Sequence, residues 1–64
     1  MTTLRTEANI SDPDAFYSEL IELHRGLTEE QSRLANAKLI LLLANQVGDM
    51  AVLRQAIAIA RDSL

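Results

Sequence analysis

The sequence predicts an all-α fold, either a small up-down-up three-helix bundle or a helical hairpin with one further helix, completed by oligomerisation. Signals that begin and end helices divide the chain into three segments with helical apolar periodicity, and no segment alternates as a strand does. The connections between these segments are short, which favours antiparallel neighbours. The chain has only 64 residues, 48% of them hydrophobic, and no cysteine to staple so small a core. Oligomerisation can supply the stability that disulfides would otherwise give so short a chain, because it buries additional apolar surface.

The first helix is predicted to follow a Thr-rich segment, residues 1–10, which we expect to be a flexible N-terminal tail. Asp12 suits the N-cap of this helix, with Pro13 at the first helical position, where its missing N–H costs nothing. Ser11 with Asp14 three residues later is the alternative cap. Either cap begins the helix at the same turn.

Two glycines set the ends of the first and second helices. The first helix should extend to about Arg25, because Gly26 suits the left-handed residue that ends a helix. The segment Thr28–Gln31 forms a capping box, which predicts the start of a second helix. That helix should continue to Val47 and end at Gly48.

The third helix is predicted to be capped by Asp49 and to run from Met50 to about Asp62. Its apolar residues gather on one side, as those of the first helix do. Residues 11–64 are therefore predicted to form one three-helix domain.

The second helix differs from its neighbours because it is apolar almost all round. With some 20 residues against about 13, it overhangs each neighbour by roughly 10 Å. Two short helices cover only part of such a helix, so we expect the rest to contact another chain. Asn36 would fix the register of that contact, as a lone polar residue does in coiled coils. The predicted interface comprises Asn36, Leu39, Ile40, Leu42, Leu43 and Val47.

The composition disfavours most site chemistries. Without cysteine, and with the single histidine His24, neither a thiolate metal site nor a multi-histidine site is expected. Both glycines end helices, which leaves none for a phosphate-binding loop. We therefore predict a protein that is not an enzyme, with no catalytic residues, no metal and no cofactor.

The charge pattern and hydropathy restrict the partners. The formal net charge is −3, and six basic residues are scattered among nine carboxylates, so nucleic-acid binding is not expected. The longest apolar run, Leu39–Ala44, is far shorter than the roughly 20 residues of a membrane span. The N-terminus lacks the apolar core of a signal peptide, which predicts a cytoplasmic location.

His24 and Tyr17 are the candidates for a ligand-binding or switch role, because they lie two turns apart on the apolar arc of the first helix. The alternative for His24 is structural, a histidine that interacts with the dipole at a helix C-terminus. We favour this alternative, since no nucleophile or second base accompanies His24 at a recognisable spacing.

Three segments, Asp12–Tyr17, His24–Ser32 and Leu39–Asp49, together resemble a family of short bacterial proteins catalogued as domain of unknown function 2783. The resemblance covers roughly residues 10–62, and Leu42–Asp49, which reads Leu-Leu-Ala-Asn-x-x-Gly-Asp, is its most specific part. The family has no assigned activity, so it supplies no catalytic residues. Its members tend to be encoded near flavin-dependent hydroxylases and other catabolic enzymes, which implies an accessory or partner-binding role.

These observations favour a non-catalytic protein that self-associates, as a dimer through its second helix, and acts as an accessory subunit. One alternative is an obligate partner module of a larger, flavin-dependent catabolic enzyme. A less favoured alternative is a small-molecule binder with a pocket near His24.

Overall fold

A computed structural model describes residues 3–64 of the chain. Within this range the protein consists of three helices and no strand: α1 (Pro13–Leu23), α2 (Glu29–Val47) and α3 (Met50–Asp62). The predicted all-α class is therefore confirmed. The first two residues of the predicted N-terminal tail lie outside the described range.

Asp12 begins α1, as the sequence predicts. Its carboxylate Oδ1 accepts a hydrogen bond from the backbone N–H of Ala15 at 3.0 Å, and Pro13 occupies the first helical position. This bond satisfies one of the N–H groups that a helix start leaves without a partner.

The α1 helix ends at Leu23, two residues before the predicted end at Arg25. His24 is the C-cap, and its carbonyl oxygen accepts a bond from the Leu27 N–H at 3.1 Å, which closes a turn. Gly26 lies within that turn with φ +76°, a conformation that costs glycine little. Gly26 was therefore predicted correctly as the left-handed residue after α1, but the helix ends earlier than predicted, and a turn separates Leu23 from Gly26.

The capping box of α2 is formed in full. Thr28 Oγ1 accepts a bond from the Gln31 N–H, and Gln31 Oε1 accepts one from the Thr28 N–H, both at 3.1 Å. At the other end, Gly48 has φ +66° and its N–H donates to the Ala44 carbonyl at 2.9 Å. Both predicted boundaries of α2 are confirmed.

The α3 helix begins one residue after this glycine. Asp49 caps it by accepting bonds from the backbone N–H groups of Ala51 and Val52 at 2.9 and 3.2 Å. Among the helix pairs of the described range, α2 and α3 make the most extensive contact. The short corner at Gly48 therefore joins two helices that also contact each other.

Residues 3–12, before α1, form neither helix nor strand and contact α3. The backbone N–H of Leu4 donates to Gln55 Oε1 at 3.1 Å, a bond between residues 51 positions apart. Leu4 and Gln55 are both half-buried. The N-terminal segment thus has a docking point on α3, and its flexibility stays a prediction.

The molecule is open for its size. Its radius of gyration is 13.5 Å, against about 10.7 Å for a compact domain of this length, and its extents are 42 × 25 × 25 Å. No side chain within residues 3–64 is fully buried. The three helices are therefore well capped but enclose little core.

Candidate interaction surface

The accessible surface of the chain is far larger than its mass predicts. It amounts to 5,854 Å², whereas folded monomeric proteins of 7.1 kDa expose about 4,100 Å². This excess of about 1,700 Å² reflects exposed residues both in the irregular segment before α1 and on the helix faces. The exposed helix faces are therefore the candidate functional surface of this protein.

One side of α2 is turned toward the rest of the chain. Ser32, Ala35 and Leu39 are half-buried, and their spacing of three and four residues places them on a single side of the helix. We call these three residues the covered side of α2. Two of the three have small side chains, so this side contributes little apolar volume.

The opposite side of α2 is apolar and mostly exposed. Leu34 and Leu41 are 56% and 70% exposed, Ala37 is exposed and Ala44 is half-buried, and these four residues form a line that we call the Leu/Ala ridge. Beside it, Lys38, Leu41, Leu42 and Asn45 line a shallow depression that is mostly apolar. Exposed leucines in a continuous line are typical of a surface that binds another protein.

The charge distribution along α2 is uneven. From Leu39 to Val47 the helix carries no charged residue, so its C-terminal half has only apolar and amide side chains. The N-terminal half carries an exposed ion pair between Arg33 and Glu29, with 3.7 Å between NH1 and Oε2. A neighbouring helix could therefore cover the C-terminal half without burying a charge.

The structure places the predicted interface residues in two different environments. Leu39 belongs to the covered side of α2, so part of its surface is already used within its own chain. The other five are exposed: Asn36, Ile40 at 64%, Leu42 at 69%, Leu43 at 48% and Val47 at 50%. Their role as an interface stays a prediction, and their exposure is compatible with it.

Sequence reasoning left Leu34 and Leu41 out of the predicted interface, although the structure leaves both of them uncovered. The signal that could have found them is the ridge itself, because apolar residues at spacings of three and four residues mark one side of a helix. What the pattern lacks is the direction in which α3 lies, since both sides of α2 are apolar.

Tyr17 lies on α1 and His24 is the C-cap of that helix, seven residues later, or about 10 Å along the helix axis. Tyr17 is exposed, whereas His24 is half-buried as the C-cap, with its backbone N–H donating to the Ile21 carbonyl at 3.1 Å. The depression on α2 includes neither of them. Their arrangement agrees with a structural place for His24, and a ligand role for the two stays a prediction.

Arg25 and Glu22 form an exposed ion pair at the C-terminal end of α1. The Arg25 Nε lies 3.0 Å from both carboxylate oxygens of Glu22, and this hydrogen bonding raises the pKa of the guanidinium above its ordinary value. Arginine is charged at any physiological pH, so the pair is a fixed surface contact rather than a switch.

Residues 3–64 contain neither a metal-ligand cluster nor a membrane-spanning helix. No group of three or more histidine, aspartate or glutamate side chains is arranged to hold a metal ion in this range. None of its helices is long and apolar enough to cross a membrane. The uncovered side of α2 is thus the feature of the described chain that most needs explanation.

The fold and this surface define a small all-α protein with one helix left apolar and uncovered. The chain belongs to the family described as "Protein of unknown function (DUF2783)", which it matches over residues 4–62. This confirms the resemblance that the sequence segments indicate. No curated protein and no solved structure matches the chain.

Proposed function

We propose that this protein is a cytoplasmic, non-catalytic accessory subunit that forms a homodimer through α2. The observation that supports the proposal is the excess of exposed surface, concentrated where α2 presents leucines to solvent. Burying such side chains between two chains stabilises both, since each buried leucine contributes about 1.5–3 kcal/mol.

The size of the excess agrees with what an obligate dimer buries. Standard interfaces remove about 800 Å² from each partner, and obligate homodimers remove roughly 1,000–2,500 Å². The excess here is about 1,700 Å² per chain before the N-terminal segment is set aside. A second copy covering one side of α2 therefore accounts for a large share of it.

The stability of the isolated chain points the same way. An unfolded chain of 7.1 kDa exposes about 10,300 Å², so this fold removes only about 43% of that surface from water. A typical domain of this length removes about 60% and is already marginal. Folding and association are consequently coupled in the proposed function.

A second copy of the chain is the simplest partner for α2, because its own α2 exposes the same apolar surface. In a two-fold interface the same patch serves both chains, so one uncovered helix covers another. The accessory role is supported by the other two helices, where Tyr17, Ile21 and Ile57 stay exposed. They offer apolar surface to a larger protein after the α2 sides have paired.

The proposal is tested by measuring mass and helicity on the same sample. Light scattering after size exclusion at micromolar concentration is expected to give twice the 7.1 kDa chain mass, with a helical circular dichroism spectrum. A helical, cooperatively folded monomer at that concentration would contradict self-association. A chain that is unfolded alone and becomes helical only with a larger protein would favour the partner-module alternative.

A further inference from the structure

The Leu/Ala ridge alternates large and small side chains in an order that suits only one way of pairing two helices. Leu34, Ala37, Leu41 and Ala44 follow one another at spacings of three, four and three residues. At 100° per residue they fall within one narrow sector of α2, opposite the covered side. Both leucines and Ala37 are exposed, Ala44 is half-buried with part of its surface still accessible, and no charged residue interrupts the line.

We infer that two copies of α2 pack antiparallel along this ridge, with Leu34 against the partner's Ala44 and Ala37 against the partner's Leu41. This inference rests on the proposed self-association and specifies its surface and direction. The ridge is symmetric about position 39, because 34 and 44 lie five residues to either side of it, and 37 and 41 lie two.

Packing distinguishes this arrangement from a parallel one. In the antiparallel pair every layer places a leucine opposite an alanine, so side chains interdigitate at an even separation. In a parallel pair, leucine would face leucine in two layers and alanine would face alanine in the other two. In such an interface the leucine–leucine layers would hold the two helices apart, and the alanine–alanine layers would then contain voids.

Electrostatics favour the same direction. Glu30 extends the ridge by one turn at its N-terminal end, four residues before Leu34. A parallel pair would bring two Glu30 carboxylates together, whereas the antiparallel pair separates them by about 27 Å. Antiparallel packing also opposes the two helix dipoles.

Disulfide trapping tests the register, because the chain has no cysteine and every introduced thiol reports on one position. A tagged Leu34→Cys chain is refolded together with an untagged Ala44→Cys chain and then mildly oxidised. We expect a disulfide between the two different chains, and no disulfide between two Leu34→Cys chains refolded alone. Each chain carries a single thiol, so every disulfide that forms joins two chains.

The matched control uses Ser32→Cys with Gln46→Cys. These positions are also symmetric about 39 but lie on the opposite side of α2, where Ser32 is half-buried. We expect no disulfide between these two chains. A bond in the control pair and none in the ridge pair would overturn the choice of surface.

Other outcomes separate failure of the inference from failure of the proposed function. A rapid disulfide between two Leu34→Cys chains would show parallel packing and overturn the inferred direction. Light scattering of the same variants under reducing conditions reports the dimer independently of any disulfide. A dimer that traps no ridge pair overturns this inference alone, whereas a folded monomer overturns the proposed function as well.

Discussion

The two sides of α2 differ in a way that is unusual for a domain that folds alone. The covered side carries Ser32, Ala35 and Leu39, while the Leu/Ala ridge presents two leucines to solvent. A self-sufficient small domain directs its largest apolar side chains inward, because their burial provides most of its stability. Here much of that apolar volume is exposed to solvent, and the proposed dimer would bury it.

The largest effect is expected for Leu41→Asp, which places a carboxylate in the middle of the ridge. Each chain loses a leucine that would contribute about 1.5–3 kcal/mol when buried, and the symmetric interface loses it twice. We expect the dimer to dissociate at micromolar concentration, with loss of helicity, measured by light scattering and circular dichroism.

Gln46→Asp is the matched control for Leu41→Asp. It adds the same charge to α2 on the side opposite the ridge, at a residue that is already exposed. We expect this variant to keep the dimer mass. A dimeric Leu41→Asp variant, or equal dissociation of both variants, would show that the ridge is not the interface.

A smaller effect is expected on the covered side. Leu39→Ala removes a half-buried side chain that packs within its own chain, so we expect a loss of about 1–2 kcal/mol in urea unfolding. The mass of the folded protein should stay that of the dimer. Dissociation of this variant without loss of stability would place Leu39 in the interface, as the sequence pattern predicts.

The smallest effect is expected at the start of α2, where neither side is involved. Thr28→Ala removes the hydroxyl that accepts the Gln31 N–H, which should cost about 1 kcal/mol of unfolding free energy. Urea unfolding checks the value, with Thr6→Ala at an exposed position of the irregular N-terminal segment as the control. An unchanged Thr28→Ala protein would mean that the helix start is held by other contacts.

The helix boundaries could be predicted because their signals are local. Asp12, Thr28, Gly48 and Asp49 act on backbone groups within four residues, so their roles are legible in the sequence. The end of α1 was placed two residues too late, because Gly26 marks the turn and not the last helical residue.

The uncovered surface was predictable only in part. An excess of apolar residues on the second helix is visible in the pattern, and it led to the expectation of a contact with another chain, which stays a prediction. The side to be covered depends on where α3 packs, a contact between residues distant in sequence. For this reason Leu39 was assigned to the interface and Leu41 was not, although the structure leaves Leu41 more exposed.

The dependence of thermal stability on protein concentration tests the central claim most directly. If folding is coupled to association through α2, the midpoint of unfolding must rise with concentration, because dilution favours separate chains. We predict such a rise, followed by circular dichroism from low micromolar to millimolar protein. A cooperative transition with the same midpoint at every concentration would contradict the account, since it would show that each chain is stable alone.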